Sequence, residues 1–230
     1  MKIRVLYENS NILAIDKPSG VLVHPDKTNK EKTILDWAVK KYPNAVLVHR
    51  LDKETSGVIL IAKNNESHEF LKKQFQNREV NKIYHAIVSG YVSKDHEIIN
   101  KPIGRSPRDF RRHLSGRGAR GQMREAITEY KVLKRLISGK EKYTYLEVRP
   151  KTGRTHQIRV HMKYINHPVV CDSLYNPEGL CPRGISRLAL HAKSIEFKNL
   201  MGEIIKVESP LPKEFSAVGG SASSGKKMVE

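Results

Sequence analysis

The chain has 230 residues, and 42 Lys and Arg against 24 Asp and Glu give a formal net charge of +18. A hydrophobic share of 38% and a mean hydropathy of −0.53 exclude an integral membrane protein, and recurrent apolar runs exclude wholesale disorder. The longest run, Gly57–Ala62, is far too short to span a bilayer.

The opening residues lack the apolar stretch and small-residue cleavage site of a secretory leader. The length fits one domain able to bury a core. A pI near 9.9 points to a polyanionic partner, nucleic acid ahead of an anionic membrane. A chain that is basic only for solubility stays open on composition alone. Cys171 and Cys181 cannot build a disulfide framework, and their spacing is not that of a zinc knuckle. One bridge between them is geometrically possible, but a reduced, cytoplasmic protein is the simpler expectation.

Short strand-like runs come first: Ile3–Tyr7, Ile12–Ile15 and Val21–Val23, with a Pro-Ser-Gly turn at 18–20. Residues 33–42 place Ile34, Leu35, Ala38 and Val39 on one helical face, which Pro43 stops. Strands are expected at Val46–Val48 and Val58–Ile61, with the polar loop His49–Gly57 between them. A second helix, Asn65–Gln76, carries Phe70, Leu71 and Phe75. Strands follow at Ile83–Val88, Ala126–Leu133 and Tyr143–Val148, then a helix over about Thr155–Tyr164. Two late strands, Leu188–Phe197 and Glu203–Glu208, lead into Pro-Leu-Pro. Helices do not alternate regularly with strands, so the expected class is α+β with a mostly antiparallel sheet. No internal repeat is visible.

Two segments differ from this texture. Residues 105–124 carry seven arginines and one acid, Asp109, broken by glycines and a proline. That predicts a mobile, phosphate-binding loop over a merely solvated face. Residues 216–230 are Gly/Ser-rich and expected to be a disordered tail.

The sharpest chemical signal is His49-Arg50-Leu51-Asp52-Lys53-Glu54-Thr55-Ser56-Gly57. An acid stands beside an arginine in a loop held by two strands, where a reactive group is both exposed and fixed. The plain alternative is that Asp52 caps the turn by accepting backbone N–H bonds, with Thr55 and Ser56 doing likewise. His156 and His161, five apart, do not share a helical face, and no metal is expected. Ser56 has no nucleophile-elbow context, and no phosphate-binding GxxxxGK[ST] loop occurs.

The string HRLDxxTSG resembles the signature of the RluA-type RNA pseudouridine synthases. Further pieces fall in that family's order: Lys82-Ile83-Tyr84-His85-Ala86, the stretch Thr152–His161 (TGRTHQIRVH), Leu190-His191-Ala192 and Pro210-Leu211-Pro212. The opening Ile15–Gly20 with His24-Pro25 also fits, so the likeness covers about residues 3–215. The likeness begins at once in the catalytic domain, so the S4 RNA-binding module of many members is expected to be absent, and Cys171 stands where glycine is usual in the segment His167–Tyr175.

The resemblance implies one catalytic domain, 1–215, whose long antiparallel sheet is split by a basic cleft. Asp52 would break the glycosidic bond, Arg154 would be its guanidinium partner, and Tyr84 would stack on the uracil. Arg154 as a simple phosphate contact stays open. Arg50 would fill the space left by a flipped base or clamp a phosphate. His49, Leu51 and Thr55 complete the loop, and Leu190 would wall the pocket. Arg111, Arg112, Arg117 and Arg120 would bind RNA. The expected partner is ribosomal or transfer RNA, with no membrane, nucleotide or other cofactor, and the protein is expected to be a monomer. The rival from another class is a non-catalytic RNA-binding or ribosome-assembly protein on the same fold. A glycosylase releasing free uracil is weaker.

Overall fold

The computed structural model describes residues 1–25, 31–116 and 118–215. Arg117 and the tail 216–230 lie outside the described residues.

Strands β1 (Arg4–Glu8), β2 (Ile12–Lys17), β3 (Val46–Leu47) and β4 (Ser56–Ala62) form one flank of the sheet, with α1 (Ile34–Lys41) and α2 (Asn65–Gln76) in the same part of the chain. Thr33 and Asp36 form a reciprocal capping box on α1, which satisfies donors that a helix start leaves unpaired. Two more of those donors, the N–H groups of Ile34 and Leu35, bond to the carbonyls of Leu22 and Val23. This is why Val21–Val23 is not a strand as expected: its carbonyls serve a helix end. In α1, Ile34 and Ala38 are buried, whereas Val39 faces solvent.

The second flank holds β5 (Asn81–Ser89), β6 (His96–Asn100), β10 (Ile127–Ser138) and β11 (Glu141–Pro150), with α3 (Gln157–Tyr164). Strands β12 (Leu190–Lys198) and β13 (Ile204–Glu208) close the chain. Among the described residues the main sheet has the order β1-β2-β4-β12-β5-β11-β10-β6, with β3 on β4 and β13 on β12. Every pairing in it is antiparallel except β12 against β4. The α+β class and the mostly antiparallel sheet hold.

That one parallel contact explains the glycine of the signature loop. His191 pairs with Ser56 and Ala192 with Gly57. A Cβ on Gly57 would lie 2.2 Å from the Ala192 carbonyl oxygen, and its φ of +113° is closed to side chains with a Cβ. One apolar cluster packs β2, β4, α1 and α2; another packs β5, β11 and α3. Tyr84, half-buried on β5, touches both. It stands where the two halves of the sheet meet.

The arginine-rich segment is not a mobile loop throughout. It forms a small sheet, β8-β7-β9, from β7 (Ile103–Arg105), β8 (His113–Ser115) and β9 (Arg120–Arg124). Ile103 and Ala126 anchor it by packing with Val160 of α3 and Tyr175. These strands are short and largely charged, so their sequence carries little periodic apolar signal. Cys171 and Cys181 are bonded as a disulfide with Cα atoms 5.3 Å apart, so the expectation of two thiols is corrected. Cys171 adopts φ +54°, the left-handed conformation that glycine takes most easily.

Candidate active site

The loop 48–57 is held from behind. His49 accepts the Leu60 N–H on Nε2 at 2.9 Å, and its ring stacks on Phe75 of α2 at 4.8 Å. Burial pushes its pKa down to about 3, in keeping with a neutral ring that accepts at Nε2. Leu51 is buried in the first apolar cluster, and the Thr55 N–H closes a turn on the Asp52 carbonyl at 3.2 Å.

Beneath the loop, Lys17 is fully buried and donates from Nζ to the carbonyls of Pro18, Val21 and Lys53, each at 2.9 Å. Burial lowers its pKa to about 7, and the Asp52 carboxylate works the other way. Three carbonyl acceptors use three N–H donors, a set that only the ammonium supplies. The Gly20 N–H and the Ser19 hydroxyl add bonds to the carbonyls of Lys53 and Glu54. Asp52 thus stands on a rigid support.

Asp52 is not left as a turn cap. Its Oδ2 accepts from Arg159 Nη1 at 3.2 Å, and its Oδ1 lies 3.8 Å from His156 Nε2. Arg159 is itself locked by Asp172: Nε to Oδ2 and Nη2 to Oδ1, both at 2.7 Å. Burial opposes the charge of Arg159, but the bonds and charges of Asp172 and Asp52 outweigh it and raise its pKa. Asp172 is fully buried and also accepts the N–H groups of Leu174 and Tyr175. One arginine therefore bridges two carboxylates, one sealed in the core and the other facing a cavity.

The guanidinium beside Asp52 is thus that of Arg159, not of Arg154. Arg154 points elsewhere: its Nε donates to the Glu125 carbonyl at 2.9 Å, and Glu125 also holds Arg78. The chain reverses before α3, and Arg159, one turn into the helix, is the arginine that reaches the loop.

The cavity is about 470 Å³ and is lined by Arg50, Asp52, Tyr84, Arg154, His156 and Leu190 among others. His49, Leu51 and Thr55 also reach its wall. Burial raises the Tyr84 pKa, and the nearby Asp52 charge adds to it, so its hydroxyl keeps its proton at neutral pH. Arg111, Arg112 and Arg120 do not line this cavity. They belong to the small sheet and its turn, where Asp109 accepts from Arg111 through the backbone N–H, Nε and Nη2. Among the described residues no cluster of three or more His, Cys, Asp or Glu could hold a metal ion.

A carboxylate held by a buried arginine stands in a cavity whose wall also carries Arg50, Lys82 and Arg154, a setting that suits chemistry on an anionic substrate. The RNA pseudouridylate synthase family profile matches residues 11–164. A ribosomal large subunit pseudouridine synthase D of Xanthomonas campestris is 37% identical over 230 residues, covering 92% of this chain and 67% of that protein. Its counterpart in Pseudomonas aeruginosa is 36% identical, covering 94% and 70%. An uncharacterized RNA pseudouridine synthase of Aquifex aeolicus is 43% identical over 184 residues, covering 75% of this chain but 56% of that protein. Among solved structures, human RNA pseudouridylate synthase domain containing 1 superposes with a TM-score of 0.78 at 25% identity, covering 92% of this chain and 84% of that one. The chain belongs to the RNA pseudouridylate synthase family.

Sequence reading missed Arg159, Asp172, Tyr175 and His156 as site residues. A signal for two of them was present: His156 and Arg159 are three apart and share one side of a helix start. Asp172 and Tyr175 stand in the segment His167–Tyr175, so the motif that contains Cys171 also carried their signal.

Proposed function

We propose that the chain converts uridine to pseudouridine in folded RNA, with large-subunit ribosomal RNA the first substrate to test and transfer RNA the second. It would act as a cytoplasmic monomer. The observation that carries this reading is the Asp52–Arg159 pair at the cavity that Tyr84 and Leu190 also line. The reaction breaks the N1–C1′ bond, turns the uracil and joins C5 to C1′; the C5 proton leaves and N1 regains one. No redox change or energy source is needed. One carboxylate suffices, as nucleophile or in removing a sugar proton, and Arg159 fixes its orientation.

The target base must leave its stack, which costs a few kcal/mol. Tyr84 offers a face for the flipped uracil, and its protonated hydroxyl is suited to pass on the C5 proton. Leu190 supplies an apolar wall. Arg50, exposed at the mouth, either enters the vacated stack or holds a phosphate. Arg154 at the rim has the same phosphate-binding chemistry. The arginines of the small sheet supply affinity through the backbone of a structured RNA.

The test is tritium release from RNA labelled at uracil C5, with ribosomal and transfer RNA transcripts and pseudouridine identified in the product. Release by the wild type without free uracil is the expected result. Tight RNA binding with no release from any transcript would replace this reading with a non-catalytic binding protein.

A further inference from the structure

His156 occupies an unusual place. It is the residue before α3, with φ 55° and ψ 19°, a left-handed conformation uncommon outside glycine and costly for a bulky residue. N-cap residues ordinarily use their side chain to cap the helix, but His156 makes no such bond. The turn before the helix is braced without the His156 side chain: Gln157 Oε1 accepts the Arg154 N–H at 3.0 Å and the Thr152 hydroxyl at 2.6 Å. The imidazole is thereby released to face the cavity.

Its ring is held at one end and faces Asp52 at the other. Nδ1 lies 3.0 Å from the Tyr175 hydroxyl, and Nε2 lies 3.8 Å from Asp52 Oδ1. The Tyr175 oxygen already accepts the backbone N–H of His113 at 2.9 Å. Burial raises the pKa of this phenol to about 12, so it keeps its proton and has His156 Nδ1 to give it to. A nitrogen that accepts there carries no hydrogen. The ring proton is left on Nε2, the nitrogen aimed at Asp52.

We propose that His156 is a positioning residue for Asp52, locked by Tyr175 in the Nε2–H tautomer, and that it donates to Asp52 Oδ1 once substrate closes the remaining gap. This rests on the synthase reading above. At 3.8 Å the contact is not yet a hydrogen bond, and catalytic bonds are often long before substrate arrives. The arrangement has an electrostatic logic. Arg159 divides one positive charge between two carboxylates and the Lys17 ammonium already lies beneath the loop, so a further cation would add to the hold on Asp52. A neutral N–H fixes the free oxygen without that penalty.

The groups facing His156 are Asp52 on the loop, Arg159 of α3, Asp172 and Tyr175 of the segment before β12, and His113 of β8. Burial first, with Arg159 and His113, lowers its pKa, against the pull of Asp52 and Asp172. The neutral ring is therefore the form present at pH 7.

The test uses the full chain grown with 15N-histidine. Long-range 1H–15N spectra separate the two neutral tautomers, and the H156N variant assigns the resonance. The expected wild-type signature is Nε2–H, with the preference lost in Tyr175→Phe. Asparagine tolerates positive φ, so H156N keeps the backbone while removing the distal Nε2–H; its shorter amide does not reach that position. We expect its kcat to fall about 10- to 100-fold, with KM and RNA affinity within about threefold, and Y175F to fall less. An Nδ1–H tautomer in the wild type overturns the proposal whatever the turnover, as does an H156N kcat within about twofold of wild type. Should H156N fail to fold, the tautomer in wild type and Y175F still decides. Silence of the wild type on every RNA would remove the synthase reading, while the tautomer spectra would still judge the lock on His156.

Discussion

Two clusters of charge sit side by side in this molecule and are built on opposite plans. Behind Asp52, every ionic partner is buried and multiply bonded: Arg159 to Asp172 and Asp52, and Lys17 to three carbonyls. On the neighbouring β7–β9 sheet, β9 is exposed along its whole length. Asp109, at the β7–β8 turn, is the acid that pairs with Arg111 and Arg112 there. The first plan suits a reacting atom, which needs dry and preorganised partners. The second suits cations that exchange counterions for phosphates, a source of affinity without geometry. Variants in the two regions should separate chemistry from binding.

The largest effect should come from Asp52→Ala. Turnover should vanish, while RNA affinity in a filter-binding titration stays within a few-fold of wild type. Parallel loss of binding and activity would instead make Asp52 a structural capping residue.

Next comes the choice between two arginines. Arg159→Lys keeps a positive charge but loses the planar fork that clasps Asp172. Its kcat should fall at least about 100-fold, and unfolding in urea should show a loss of about 2–4 kcal/mol from the disrupted buried pair. Arg154→Lys should leave kcat within about threefold. The reverse order would restore Arg154 as the partner of Asp52, as the sequence resemblance implied.

That pair also shows what the sequence could and could not reveal. Helix α2 was legible to the residue, because Asn64 caps it and Leu71 carries a clear apolar face. The flank strands were legible from their β-branched runs. The stretch 152–161 was found, but which of its arginines turns inward depends on the left-handed step at His156, and no periodicity records that. Asp172 was given no role because its partner Arg159 stands in another element, thirteen residues away. Val21–Val23 had strand composition but lends its carbonyls to a helix, a decision made by tertiary contact. The β7–β9 sheet was hidden because its anchors, Ile103 and Ala126, stand at its ends and arginines fill the middle.

On that sheet, neutralising Arg111, Arg112 and Arg120 together to Gln should raise KM for large RNA about tenfold, with kcat changed less. The slope of log affinity against log salt should become shallower by about 0.7–0.9 for each phosphate no longer neutralised. The three should not count equally. Asp109, whose carboxyl is held at about 2 by the hydrogen bonds and charge of Arg111, already offsets part of the positive charge at the turn. Arg120→Gln alone should therefore cost more affinity than Arg111→Gln. Equal effects would mean that Arg111 leaves Asp109 when RNA binds.

The smallest effect tests the buried side through pH. Burial pushes both His49 and His191 down to about 3, whereas the unfolded chain holds a histidine near about 6.5. Between those values the unfolded state binds more protons, so stability must fall as pH drops below about 6.5. Each buried histidine contributes up to about 2 kcal/mol of that loss by about pH 5. Thermal melts should therefore drop between pH 7 and pH 5, and His49→Gln should flatten part of the drop, since glutamine can still accept the Leu60 N–H without gaining charge. The small sheet lies away from His49 and His191, so the charge-neutralised sheet variant should keep the wild-type pH slope. A slope that changed with the sheet arginines and not with His49 would mean the two regions are one electrostatic unit.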